Sequence, residues 1–402
     1  MNQRFTLKKT IKMAQISLMS ILLFSDLITI GYIQSPIYTL MQYISLLIVG
    51  VYTMFKAKYM KIEDIKIGMA MFVMMACVVI SSCLNHVNPD ALRESIYYAT
   101  LNFIMCMFLV EAGNRGMTDN VLLGGKIYLL ITVVLNDLLM LAMPGTFYNI
   151  SGRDIGTTLL GNKFNVAYAH LILMFLLVFE EKNEKKRDRK VIVYAILTSI
   201  LCVFVDCNTT LLACWVFVIL YFLPEKLKTI VSIPVVFIVV FFLSGFLLLF
   251  FSGILNWAPV RYLIVDILHR DATLTGRMQV YGYIYRIVFQ SKWWGYGYGT
   301  DIVLRISTWY ANAQNALWDF IIRYGYITVA TLFVYMMISV CKYSGLNHKN
   351  LRDTNWIIFS MLYVYIFIGI GEISYNKQFF FFIALLWAEC SAKSAQKRRL
   401  MK

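Results

Sequence analysis

Apolar residues along the chain fall into long runs that are separated by short polar segments. A membrane-spanning helix needs roughly 20 apolar residues to cross about 30 Å of hydrocarbon. Runs that meet or approach this length predict about twelve transmembrane helices, at residues 13–33, 36–55, 66–85, 95–112, 121–143, 164–180, 190–207, 209–223, 229–252, 315–340, 355–373 and 377–391. The pattern therefore predicts an all-α, polytopic membrane protein with a single integral membrane domain over residues 1–402.

The longest interruption in this pattern is the segment 253–314. From Leu274 onward its apolar residues recur at helical spacing and its polar residues occupy another face; the apolar positions are Met278, Tyr281, Tyr285 and Val288. This periodicity predicts an amphipathic helix lying on a membrane surface. Trp294 then follows at a position typical of the interface. The glycine run around Gly297 indicates either a flexible connector or a turn whose backbone N–H groups would face an anion or a sugar.

Composition excludes a soluble domain and argues against a nucleic-acid partner. Hydrophobic residues make up 60% of the chain, and the mean hydropathy is +0.68. The net charge of +15 is not concentrated on one soluble face, as it would be in a nucleic-acid-binding protein. Instead, about two thirds of the 37 Lys and Arg residues fall in alternate loops, as the positive-inside rule predicts. Both termini are then expected in the cytoplasm and the 253–314 loop outside.

The 253–314 loop is basic although it is expected on the outer side. Long loops translocate largely regardless of charge, so the topology is unaffected. Its basic residues are mostly arginines, whose planar guanidinium matches phosphate oxygens bidentately: Arg261, Arg270, Arg277, Arg286, Lys292 and Arg305. Binding of each arginine to lipid headgroups is the alternative interpretation.

Two further polar segments are expected on the same side. One runs from Pro144 to Asn165 and contains Arg153 and Lys163, and the other is the short turn Asp206–Thr210. The eight Cys and four His residues are scattered without metal-ligand spacing, so we expect small core cysteines, no metal site and no cofactor. Ionisable residues within the runs, Asp26 and Asp137, are candidates for function or for buried hydrogen bonding.

Three motifs together resemble the O-antigen polymerase and ligase superfamily of bacterial envelope glycosyltransferases. The first is a series in which Thr275-Gly276-Arg277 is followed by the glycine run, by Gln314-Asn315 and by Gly325. The second is the sequence Leu160–Asn165 before a helix, and the third is the polar turn at 206–210. The chain departs from the family in two places. Gln314 stands where many members have His, and Asn208-Thr209-Thr210 replaces a Ser-Arg pair. The first departure weakens the expectation of a His base at that position.

The resemblance implies a membrane glycosyltransferase with a GT-C-like architecture, in the bacterial cytoplasmic membrane. Its substrate would be an oligosaccharide repeat unit on undecaprenyl pyrophosphate, polymerised on the outer face into O-antigen, capsule or exopolysaccharide. A chain-length regulator and a flippase would be partners. The implied catalytic residues are Arg277, Arg286, Gln314, Asn315 and Glu372. The implied substrate-binding residues are Arg153, Lys163, Asn165, Arg270, Arg305, Gly297, Trp294 and Asp319.

The identity of a general base stays open at this point. His269, Asp271, Asp319 and Glu372 are the ionisable groups expected near the outer face, and pairing with a nearby Arg is an equal alternative for each. A late proton loss without a strong base is also compatible with the chemistry. Two other functions share the carrier lipid: a ligase that transfers the glycan to another acceptor, and a flippase for lipid-linked oligosaccharides.

Overall fold

The computed structural model of the chain describes residues 2–400 apart from 86–88, 144–145, 147–149, 152–153, 156–157, 251–256, 268–276, 308–309 and 347–353. Ten helices precede the long loop: α1 (Asn2–Leu27), α2 (Pro36–Lys56), α3 (Ile62–Leu84), α4 (Ala91–Arg115), α5 (Thr118–Ala142), α6 (Lys163–Glu180), α7 (Glu184–Phe204), α8 (Asn208–Tyr221), α9 (Glu225–Val231) and α10 (Pro234–Phe250). The loop and the chain after it form α11 (Ala258–Tyr262), α12 (Arg277–Gln290), α13 (Ile302–Ser307), α14 (Ala316–Ser344), α15 (Thr354–Ile368) and α16 (Lys377–Leu400).

Short elements complete the described part of the chain. A 3₁₀ turn, Ala57–Tyr59, extends α2, and a π-helical turn, Leu263–Ile267, extends α11. Two-residue strands β1 (Ile150–Ser151) and β2 (Asp154–Ile155) pair in antiparallel register. The predicted all-α class is therefore confirmed apart from this hairpin.

Seven of the described helices are long and apolar enough to cross a membrane: α1, α2 with its 3₁₀ turn, α3, α4, α5, α6 and α14. The pair α8 and α9, which is bent by 116°, would add an eighth if it formed one span. A helix occupies each of the twelve predicted segments. A polytopic membrane protein is confirmed, whereas the number of twelve spans stays a prediction.

Helix α16 lies at the centre of the bundle and contacts α4, α14 and α15. Its residues from Phe379 to Cys390 are all buried, which explains why a run of four phenylalanines is tolerated there. The Asn376 side chain accepts hydrogen bonds from the first amides of the helix. Gly113 of α4 lies so close to the Ala388 backbone that a Cβ at this position would clash with it. A small residue therefore sets the spacing of the two central helices.

The contacts between loops at the two ends of the bundle agree with spans that alternate in direction. We call the end that carries residues 293–299 the glycine-loop end and the opposite end the terminal end. At the glycine-loop end the α1–α2 connection donates from the Tyr32 amide to the Leu159 carbonyl (3.1 Å). At the terminal end Asp64 accepts from Asn114 (2.5 Å) and from the Trp387 indole (2.9 Å). Loops predicted to share a side thus meet, while the cytoplasmic placement of the termini stays a prediction.

The first helix is shorter than its apolar run. We predicted a span to Ile33, but α1 ends at Leu27. There the Lys377 ammonium donates to the Asp26 carbonyl (2.6 Å), and the Gln378 amide donates to the Leu27 carbonyl (3.3 Å). Terminal carbonyls of a helix need such partners, and α16 supplies them. The end of α1 is therefore set by a distant helix and not by the local pattern.

Sidedness gives a direct prediction. Lys292, which is exposed at the glycine-loop end, is replaced by Cys, and so is Lys185, which is exposed at the terminal end. Native Cys83 and Cys341, the two exposed cysteines, are changed to Ser in both variants. We expect an impermeant maleimide to label Lys292→Cys in intact cells and Lys185→Cys only after permeabilisation. The reverse pattern would invert the topology.

Candidate functional site

The glycine loop, residues 293–299, is docked onto a break inside α14. Gly325 has φ 75° and ψ 176°, which interrupts the helix and frees the carbonyls of the preceding turn. The Tyr296 amide donates to the Ile322 carbonyl and the Gly297 amide donates to the Arg323 carbonyl, both at 2.8 Å. In return, the Tyr326 amide donates to the Lys292 carbonyl at 2.9 Å. The loop is thus fixed by backbone hydrogen bonds to the helix that follows it.

The other side of the glycine loop contacts α3. Ser81 donates from its hydroxyl to the Trp294 carbonyl and also to the Arg323 carbonyl (2.9 Å). The Asn85 amide donates to the Gly295 carbonyl (2.6 Å), and Ser82 accepts from the Tyr298 amide (3.0 Å). These serines and the asparagine give no distinctive sequence signal, and our sequence analysis did not select them.

The glycine run forms the predicted turn, but its amides are occupied. Gly295, Gly297 and Gly299 all have positive φ, between 65° and 85°, a region that other residues seldom adopt. We expected the Gly297 N–H to face an anion or a sugar, whereas it is bonded to Arg323. The Trp294 carbonyl is likewise bonded to Ser81. The geometry therefore explains Gly297 by loop docking, and binding through its amide requires the loop to release.

Gly325→Ala should release the loop. A Cβ at this position would lie 2.1 Å from the Trp293 carbonyl oxygen, and φ is positive there. We expect a lower melting temperature in detergent and faster proteolysis between residues 291 and 300. Gly282→Ala is the control, because nothing lies within 4 Å of that Cβ in α12 and alanine favours a helix by about 1 kcal/mol. Equal melting of Gly325→Ala and wild type would remove the docking argument.

A buried ion pair lies beneath the docked loop. Arg323 Nε is 2.6 Å from Asp319 Oδ2, one helical turn earlier in α14, and the Asp319 side chain is only 4% exposed. The phenols of Tyr298 and Tyr324 lie close enough to interact electrostatically with the guanidinium. Burial raises the pKa of the Tyr298 phenol, so this group stays neutral and can donate a hydrogen bond. Tyr98 of α4 packs on the Tyr298 ring at 5.3 Å and completes the cluster.

Asn315 and Gln314 position the start of α14. The Asn315 side-chain oxygen accepts from the Leu317 and Trp318 amides, as in an N-cap, and its NH₂ donates to the Ser244 and Ile370 carbonyls (both 3.2 Å). Asn315 therefore joins α10, α14 and the segment after α15. Gln314 has φ 51° and donates from its amide to Asn312 (2.7 Å). Both predicted catalytic residues thus have architectural contacts.

The amphipathic helix is confirmed as α12, with a corrected face. Val280, Tyr281, Ile284, Ile287 and Val288 are buried against the rest of the protein. We placed Tyr285 on this face, but it is 50% exposed and meets Trp318 only at its edge. The face turns by one position because α12 packs beside α13 and α14 and not on lipid alone.

The arginines of the long loop occupy different settings. Arg277 is the first residue of α12, and Arg286 is exposed on the same helix. Arg305 forms an exposed ion pair with Asp301 (2.9 Å). Arg153, Arg270, His269 and Asp271 lie outside the described residues. The structure therefore brings Arg277 and Arg286 onto one helix, places Arg305 in a separate ion pair, and leaves Arg153 and Arg270 untested.

A second cluster joins the two other polar segments. Lys163 at the start of α6 lies 3.6 Å from the Asp206 carboxylate, in the turn between α7 and α8. Asp206 has φ 52°, a conformation that Asp tolerates better than most residues. Glu372 is buried within electrostatic range of Tyr168 and Cys207. Asn165 donates from its amide to Asn162, the cap of α6. The predicted residues Lys163, Asn165 and Glu372 are thus brought near one turn.

Our sequence analysis did not select Arg323 as a candidate. An arginine inside an apolar helix was the available signal, since ionisable residues within spans are rare. Another such pair is His170 with Asp137, whose side chains meet at 3.0 Å between α5 and α6. Among the described residues, His, Cys, Asp and Glu side chains form no group of three or more that could hold a metal ion.

No protein-family model matches the chain, and no curated protein matches it either.

Proposed function

We propose that the protein polymerises undecaprenyl-pyrophosphate-linked oligosaccharide repeat units at the outer face of the bacterial cytoplasmic membrane. The observation that supports this proposal is the packing of two helices at the glycine-loop end. Helix α12, which begins with Arg277, packs beside α14, and α14 carries Arg323 beneath the docked loop. Cationic groups are thereby gathered at one end of a membrane domain. The sequence resemblance supplies the substrate class.

Cations at this position suit the chemistry of glycosyl transfer from a pyrophosphate carrier. As the bond between the sugar C1 and the phosphate oxygen breaks, negative charge develops on the pyrophosphate. Donors fixed in place stabilise this charge, and hydrogen bonds to charged groups contribute about 1.5–3 kcal/mol each. Two or three arginines would therefore account for several orders of magnitude in rate. We assign Arg277 and Arg286 to the pyrophosphate, with Arg323 as a third candidate.

The acceptor hydroxyl must lose a proton, and the described carboxylates differ in their fitness to take it. Asp319 lies 2.6 Å from Arg323, so its carboxylate is already engaged in an ion pair. Glu372 is buried on the segment that leads into α16, within electrostatic range of Tyr168 and Cys207. We therefore assign the proton to Glu372. Gln314 and Asn315 have no basic group and are assigned to positioning.

Reconstitution tests the proposal against its two alternatives. The purified protein in proteoliposomes is given lipid-linked repeat units isolated from the cells that carry this chain. A ladder of longer glycans on the carrier is the expected product. Transfer of single units to another acceptor without a ladder would establish a ligase. Movement of units between leaflets without elongation would establish a flippase, although the described charges of α2–α6 and α14 lie near helix ends and not along a path through the bundle.

A further inference from the structure

A pocket of about 760 Å³ lies at the glycine-loop end, and none of its lining residues belongs to the docked loop or to either cluster. It is formed by the connection between α1 and α2, the first turns of α2, and Arg93 of α4. Its volume lies within the range of small-ligand sites. The lining combines aliphatic side chains, among them Ile33 and Leu40, with two tyrosine rings and with amide and hydroxyl side chains: Tyr38, Tyr43, Gln34, Gln42, Ser35 and Thr39.

A buried hydrogen-bond network fixes one wall of this pocket. The Asp26 carboxylate, which is fully buried, accepts from the Tyr97 phenol (3.0 Å) and from the Ser45 hydroxyl (2.8 Å). The Tyr97 ring meets the Tyr43 ring edge-on at 5.1 Å. Ser45 also lies 2.9 Å from the Gln42 carbonyl. The Tyr43 and Gln42 positions are therefore held by groups that have no contact with the pocket.

The opposite wall is fixed in the same way. The Tyr38 phenol accepts from the Ile30 amide at 2.9 Å, so the α1–α2 connection is tied to α2 across the pocket. Ser35 caps α2 by accepting from the Tyr38 amide at 3.1 Å. Side chains that are held before a ligand arrives lose little conformational entropy on binding. The pocket is thus built as a site with fixed polar groups.

The pocket adjoins both clusters of the candidate site. The Tyr32 amide bonds to the Leu159 carbonyl, and Gly31 packs against Gly161, just before α6 begins with Lys163. On the other side Tyr98, next to Tyr97 in α4, contacts Tyr298 above Arg323. The α1–α2 connection, which lines the pocket, is therefore tied to the segment before α6, and α4 contacts the docked loop.

We propose that this pocket binds the glycan of the acceptor substrate, an inference that rests on the proposed function. Aromatic rings offer apolar faces to the C–H groups of a sugar, and amides and hydroxyls match its hydroxyl groups. An acyl or isoprenyl chain would match the aliphatic side chains but would offer no hydrogen-bonding group to the Gln34 and Gln42 amides. A phosphate headgroup is disfavoured because Arg93 is 68% exposed and already paired with Asp90 at 3.1 Å.

Steady-state kinetics of the polymerisation assay test the pocket. Tyr43→Ala and Gln42→Ala should each raise the acceptor KM about tenfold and leave kcat within about twofold, because they remove contacts remote from the reacting atoms. Tyr32→Ala is the matched control: Tyr32 is 45% exposed, Tyr43 is 40% exposed, and only Tyr43 lines the pocket. Melting curves confirm that the variants fold, and Tyr43→Phe, which keeps the ring, should stay near wild type. An unchanged KM in both alanine variants overturns the proposal.

Binding separates this proposal from the proposed function. If wild type elongates the glycan but Tyr43→Ala and Gln42→Ala both keep the wild-type KM, the pocket assignment fails and the polymerase stands. If wild type does not elongate, its affinity for isolated lipid-linked repeat units in nanodiscs is measured. Weaker binding by Tyr43→Ala then supports the pocket without the polymerase, whereas equal binding, or none by wild type, overturns it. Sugar-free undecaprenyl pyrophosphate is the second probe. If Tyr43→Ala loses as much affinity for this lipid as for the lipid-linked repeat unit, the pocket binds the lipid, and the proposal that it binds the glycan is overturned.

Discussion

Arg323→Ala is expected to lower the free energy of unfolding by about 3–5 kcal/mol and to abolish polymerisation. The reason is that the substitution leaves the Asp319 carboxylate buried without its cation, at 4% side-chain exposure. The same change removes the guanidinium beneath the glycine loop. Stability is measured by thermal or denaturant unfolding in detergent, and activity with lipid-linked repeat units.

Two comparisons separate the structural effect of Arg323 from its effect on catalysis. Arg305→Ala breaks a pair with the same spacing, Asp301–Arg305, whose side chains are 47% and 56% exposed, so it should cost less than about 1 kcal/mol. The double variant Arg323→Met, Asp319→Leu removes both charges and should recover most of the lost stability. If activity also returned, Arg323 would have no role at the pyrophosphate.

The helical class of the protein was predictable because it follows from local composition. Each run of about 20 apolar residues has only a helix available to it in a bilayer, since its backbone groups must bond internally. The boundaries of the helices were harder to predict from the sequence. The run that contains α1 continues to Ile33, but donors from Lys377 and Gln378 end the helix at Leu27. A contact between residues so far apart leaves no trace in a sliding window.

In the site too, features that follow from local sequence were predicted, whereas features that depend on distant contacts were not. Positive φ at Gly297 follows from glycine itself, so the turn was predictable. The contact of this turn with the break at Gly325 was not predictable, because it joins two segments that are separated along the chain. We predicted Asn315 to be catalytic, whereas its four hydrogen bonds describe a cap and a helix junction. Motif order placed these residues near one another without assigning their roles.

Pairing also explains why the charges of α14 were hard to interpret from the sequence. Asp319 was equally compatible with a general base and with a partner for a nearby arginine. The structure places Arg323 one turn away with a contact of 2.6 Å, which favours the pair. The search for a proton acceptor therefore moves from α14 to Glu372, near the start of α6.

Arg277→Ala is expected to be nearly inactive while it inserts and purifies normally. Arg277 begins α12, a helix of 14 residues, so we expect the helix dipole to add to the attraction of an anion at this position. Arg277→Lys keeps the charge but loses the bidentate fork, which should cost about 1–3 kcal/mol, or roughly ten- to a hundredfold in turnover.

Controls within the same loop make the role of Arg277 specific. Arg261 lies in α11 of this loop and outside the motif, so Arg261→Ala should change turnover far less. Arg286 is exposed two to three turns along α12, and Arg286→Ala should lower turnover through the pyrophosphate but leave the melting temperature unchanged, because it has no buried contact to lose. If Arg277→Ala keeps most of its activity on lipid-linked repeat units, Arg277 does not contact the pyrophosphate. The basic loop would then be explained by its attraction to anionic lipid headgroups alone.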